Sequence, residues 1–145
     1  MQRMIIAALV VLLAASLVAW RSWSRDQSRT QKQILTVERM KRINSALREY
    51  RETHDDVPAD LETLARSLNS DDTARFGGFV DHWGQPFVYE SDGNQFLLAS
   101  LGSDGRRDNP RATTTEAQEP LNVCGDFAAD QVLTSDGWIS ACYKY

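Results

Sequence analysis

No proline or glycine occurs before Pro58, so nothing in the first third of this 145-residue chain compels a helix to break. Histidine is scarce, with only His54 and His82, and neither stands in a catalytic pattern. GxSxG, HExxH, P-loop and GxGxxG sequences are all missing, which removes the usual hydrolase, phosphoryl-transfer and dinucleotide readings. His82 reads as a half-exposed residue at a strand entry, and Asp55, Asp56, Asp71 and Asp72 as solvated turn and cap residues. The chain is therefore expected not to be an enzyme. A basic excess is lacking too: the formal net charge is −4, so the counterion release that drives phosphate binding has no source and no nucleic-acid partner is expected.

Cysteine is nearly absent. Cys124 and Cys142 form no CxxC pair and lie near too little histidine for a tetrahedral zinc site. Two readings remain open: two unrelated buried thiols, or, in an oxidising compartment, a disulfide closing the C-terminal segment and worth roughly 3 kcal/mol.

What is present begins with an apolar run. Met4 to Trp20 reads MIIAALVVLLAASLVAW, uncharged and with Ser16 as its one polar residue. This suits a membrane segment at the short end of the spanning range, with Trp20 and Trp23 at the interfacial belt, and residues 4–23 are read as a transmembrane anchor. A cleaved signal peptide competes, because Arg3 precedes the run and Ala14, Ala15, Ser16 and Ala19 end it. The length of the run and the polar helix that follows it favour a retained anchor.

Residues 24–145 then make one domain, about 110 to 120 residues being enough to bury a modest core. Ile34, Val37, Met40, Ile43, Leu47 and Tyr50 recur at three-and-four spacing and predict a long amphipathic helix continuous with the anchor. Val57-Pro58 ends it, and Asp60 caps a second helix with Leu61, Leu64, Ala65 and Leu68 on its apolar side. From Phe79 the period becomes alternating, and Ser91-Asp92-Gly93-Asn94 turns a β-hairpin between Phe87-Tyr89 and Phe96-Ser100. After the polar stretch to Pro120, Val132-Leu133 and Trp138-Ile139 flank a second turn. The expected fold is α+β, a long N-terminal helix packed on a small antiparallel sheet.

Three segments in this order resemble the major, protein G-like pseudopilins of type II secretion. They are the helix-turn-helix ALREYRETHDDVPADLETL; Asp81 to Tyr89, similar to that family's D-x-W-G-x-P-[YF]-x-Y; and Phe96 to Gly105, similar to its F-x-L-x-S-x-G-x-D-G. The resemblance covers roughly residues 34–108. Trp83, Gly84, Pro86, Tyr89, Gly102 and Gly105 are its fold-forming positions, with the aromatics assigned to the core.

The resemblance implies a pilin-like, non-enzymatic structural or assembly subunit. It would sit as a single-pass protein in a bacterial inner membrane and meet other pseudopilin or secretion-apparatus subunits, copies of itself included. The rival reading is a monomeric extracytoplasmic binding or sensor module on the same fold. It also implies calcium in the loop after the second motif, where Asp104 matches by position and Asp108 is a nearby candidate, against the plain reading of Asp104-Gly105 as a turn. The chain departs from the family's start: no basic leader with its cleavage glycine, Phe and Glu precedes or begins MIIAALVV, and no acidic residue occurs before Asp26, so prepilin processing and ordinary filament incorporation stay open at this point. The cations Arg21, Arg25, Arg29 and Lys32, taken alone, favour a cytoplasmic domain. The disulfide reading and the resemblance favour a periplasmic one, which is the expectation adopted.

Overall fold

The structure, a computed structural model, describes residues 2–68, 76–107 and 121–142, with side chains from residue 27 onward. Helix α1 spans Gln2–His54 without interruption. Gln33, Thr36, Val37, Met40, Ile43, Ala46 and Leu47 form its buried stripe, while Leu35, Glu38, Lys41, Arg42, Ser45 and Arg48 lie exposed around it. The helix ends where Asp55 adopts a left-handed conformation (φ 62°) and donates its N–H to the Arg51 carbonyl at 2.9 Å, a cap that Asp tolerates better than most residues. The segment expected as the anchor, residues 4–23, falls in the part of α1 without described side chains. Among the described residues, no helix is long and apolar enough to cross a membrane.

Helix α2, Leu61–Ser67, starts at Asp60, whose Oδ1 accepts from Thr63 N–H at 2.6 Å. Leu64 from this helix is fully buried. A short 3-10 turn, Gly77–Phe79, leads into the strands.

The sheet has five strands: β1 (Val88–Ser91), β2 (Phe96–Ser100), β3 (Leu121–Asn122), β4 (Gln131–Thr134) and β5 (Gly137–Ala141). Their order is β1-β2-β4-β5-β3. The β1–β2 and β4–β5 hairpins are antiparallel, and β2 pairs with β4 in the same sense, Leu98 opposite Leu133. The sheet is nevertheless mixed and not wholly antiparallel, because β3 joins the far edge parallel to β5, Leu121 opposite Ser140. A two-residue strand of this kind has no alternation by which its sequence could announce it.

The main core lies between α1 and one sheet face, where Met40, Ile43 and Leu47 meet Leu64, Phe87, Phe96, Leu98 and Leu133. All five residues of β2 are buried, and Leu97, Ala99 and Val132 form a smaller cluster with Val88 and Ile139. Such a doubly covered strand reads as the continuous run Phe-Leu-Leu-Ala that the sequence shows.

Candidate functional site

Asp81 organises the first sequence signature. Its carboxylate is buried; Oδ1 accepts from the N–H groups of Trp83 at 2.9 Å and Gln85 at 2.8 Å, and Oδ2 accepts from the Ser100 hydroxyl at 2.6 Å. With Asp81 N–H donating to the Gln85 carbonyl at 2.7 Å, residues 81–85 close into a tight loop tied to β2. Gly84 (φ 89°) supplies the backbone conformation that closure requires, and its position is open, so the reason for glycine is conformational. Pro86 forms a lone bridge with Val80, and Phe87 N–H donates to the Phe79 carbonyl at 2.9 Å.

The three aromatics of this signature go to different places. Phe87 enters the core. Tyr89 is half-buried, lies against Phe96, and donates its hydroxyl to the Pro58 carbonyl at 2.8 Å, which fastens the end of the α1–α2 connection to the sheet. Burial pushes the Tyr89 phenol up to about 12. Trp83 is half-buried too, but outside the main core: it tilts against Phe127 with the Lys32 ammonium 5.3 Å from its ring centre. His82 beside it is held below the ordinary histidine value, first by burial and then by Arg39, against the opposing pull of Asp81. Its backbone N–H donates to the Thr36 hydroxyl at 3.2 Å, so its place is structural.

The second signature forms the neighbouring loop. Gly102 (φ 65°) is pressed against residues 127–128, where an added Cβ would come within 2.5 Å of the Ala128 carbonyl oxygen. Ser103 N–H donates to the Phe127 carbonyl at 2.7 Å. Gly105 lies 3.3 Å, by the same measure, from the Gln85 side chain, so the two signatures touch. Asp104 is exposed and its Oδ1 accepts from Arg106 N–H at 3.0 Å, which is turn chemistry. Arg107 makes a forked contact to Glu90 on β1 at 2.5 and 3.2 Å and thereby holds the Glu90 carboxyl below its usual range.

Calcium takes six to eight oxygen ligands. Asp108 lies outside the described residues, and among the described residues no three acidic, histidine or cysteine side chains come together. Asp104, already engaged in its turn and followed by two arginines, does not by itself fit the ion.

Cys124 and Cys142 are joined by a disulfide, with Cα atoms 4.4 Å apart across a sequence separation of 18. The sequence had also left unmarked Gln33 and Asp130, both buried polar residues. Gln33 looks like one more polar residue of a helix surface, and Asp130 like one more acid of a turn.

The sequence profile of the type II secretion system (T2SS) protein G family matches residues 24–139. The chain belongs to that family. The match takes in α1 from its polar part onward, both signature loops and all but the end of β5, and the family consists of structural, non-enzymatic subunits of the secretion apparatus. No curated protein matches this protein G relative, and no solved structure does.

Proposed function

We propose that this protein G family member is a pilin-like structural subunit held in the bacterial inner membrane by residues 4–23, with residues 24–145 in the periplasm. The observation that carries the reading is the family match over residues 24–139, beginning immediately beyond the apolar run. Two features support it. The uninterrupted α1 carries the apolar run and the stripe that seats the head on one element, which leaves an exposed helix arc for neighbouring subunits. A disulfide fits an oxidising compartment. The joining of subunits is then helix packing, with nothing for the protein to turn over.

Alkaline phosphatase fused after Tyr145 tests the placement, because that reporter folds only outside the cytoplasm; an inactive fusion reverses it. Cysteine cross-linking through the exposed arc of α1 in cells tests assembly. Ladders are expected, and a species that stays monomeric would leave the extracytoplasmic binding module as the better account.

A further inference from the structure

Gln33 on α1 is fully buried, and its side-chain amide is spent on one distant loop. Nε2 donates to the carbonyls of Val123 at 3.3 Å and Asp126 at 2.6 Å, and Oε1 accepts from Gly125 N–H at 3.1 Å. One side chain thus holds three of the four residues 123–126. The fourth is Cys124, bonded to Cys142 just beyond β5.

The neighbouring contacts join the stem to the head as well: Gln131 Nε2 on β4 donates to the Gln33 carbonyl at 3.5 Å, and Ile34 packs on the cluster of Val37, Ala141 and Cys142. The Arg29 guanidinium lies 5.4 Å from the Phe127 ring centre, Lys32 covers Trp83, and Thr36 accepts from His82. The loop's backbone support is short-range: Asp126 N–H donates to the Val123 carbonyl at 3.1 Å within the loop, Ser103 N–H holds the Phe127 carbonyl at 2.7 Å behind it, and toward the sheet the two-residue β3 and the bond from Val123 N–H to the Ala141 carbonyl at 3.1 Å are its anchorage. The turn shapes residues 123–126, and the covalent tie at Cys124 joins that turn to the residue just beyond β5, so the tie is what fixes where the 123 and 126 carbonyls and the Gly125 N–H stand relative to Gln33 beyond this short anchorage. A three-bond capture of a buried amide is geometrically demanding, and loss of the tie takes away the alignment of all three bonds together.

We propose that the Cys124–Cys142 disulfide is a redox latch that decides whether the stem of α1, up to Thr36, is fastened to the head. Oxidised, it presents loop 123–126 to Gln33. Reduced, the loop lets go of Gln33 and the stem swings free of Trp83 and Phe127, while the core below Met40 stays packed. The reductant is a dithiol: its thiolate attacks Sγ of Cys124, the exposed partner, and expels buried Cys142 as thiolate. Its second thiol then displaces Cys124, leaving two protein thiols and a disulfide on the reductant. Only the oxidised chain offers neighbouring subunits a stem and head in fixed relation.

The test uses the full chain in detergent, oxidised or treated with dithiothreitol, together with the Cys124→Ser/Cys142→Ser and Gln33→Ala variants. Two quantities are followed: amide exchange across residues 123–128 and tryptic cleavage after Arg29 and Lys32. Exchange across β2 and β4 serves as the control for the core. Both quantities should rise roughly tenfold to a hundredfold on reduction and in the double serine variant, the scale expected for opening a closure of this separation. Gln33→Ala should reproduce the rise with the disulfide intact, and β2 and β4 should stay protected throughout. Unchanged cleavage and exchange on reduction overturn the latch. So does an equal rise in β2 and β4, which would make the disulfide a support of the whole fold, and so does a Gln33→Ala protein that behaves as wild type. None of these outcomes depends on whether the chain assembles.

Discussion

The Ser100 hydroxyl donates to Asp81 Oδ2 at 2.6 Å with both residues buried, which binds the first signature loop to strand β2. Asp81 also accepts two loop N–H groups through Oδ1, so its removal strands three donors at once. Asp81→Ala should cost about 2–4 kcal/mol in urea unfolding, whereas Ser100→Ala, which removes a single donor, should cost about 1–2 kcal/mol. Equal losses would show that the Oδ1 bonds contribute nothing.

Gly102 and Gly93 both have positive φ, but only Gly102 faces an obstruction. Gly102→Ala combines backbone strain with an approach of 2.5 Å to the Ala128 carbonyl oxygen and should lose about 2–4 kcal/mol. Gly93→Ala, with open space around it, should lose about 1 kcal/mol. Urea midpoints with a common slope would rank the two.

Tyr89 couples stability to alkaline pH. Its phenol titrates at about 12 when folded, against about 10 when unfolded, so between those values the folded state holds the extra proton. Stability from this residue is complete below pH 10 and is lost as pH rises through 10 toward 12. Tyr89→Phe should be less stable at pH 7 by about 1 kcal/mol, through loss of the bond to Pro58, and should decline less between pH 10 and 12. Melting curves of both proteins across that range check the sign.

The Arg107–Glu90 pair is forked but exposed on both sides. A double-mutant cycle on Arg107→Ala and Glu90→Ala should therefore return a coupling below about 1 kcal/mol that shrinks further in high salt. A larger, salt-resistant coupling would mean that this pair and not the Gly102 packing holds the loop.

The long helix, its end near Pro58, the Asp60 cap and both hairpins were legible in the sequence, because each rests on a local rule: heptad-like spacing, a side chain bonding its own backbone three residues on, or two-residue alternation around a turn. The glycines of the second signature, Gly102 and Gly105, were legible as special positions as well. Their reasons were not, since the Ala128 carbonyl beside Gly102 and the Gln85 side chain beside Gly105 leave no mark when only the residue letter is visible.

The sequence by itself determined the α+β class and the family, through periodicity and two motifs whose order and spacing are matters of chain distance alone. The tertiary structure decided the parallel seat of β3, the separate destinations of Phe87, Tyr89 and Trp83, the joining of Cys124 to Cys142, and the capture of loop 123–126 by Gln33. These are pairings between groups far apart along the chain. Their energy comes from geometry that forms only once the core has brought both partners together, so no local pattern of residues records it.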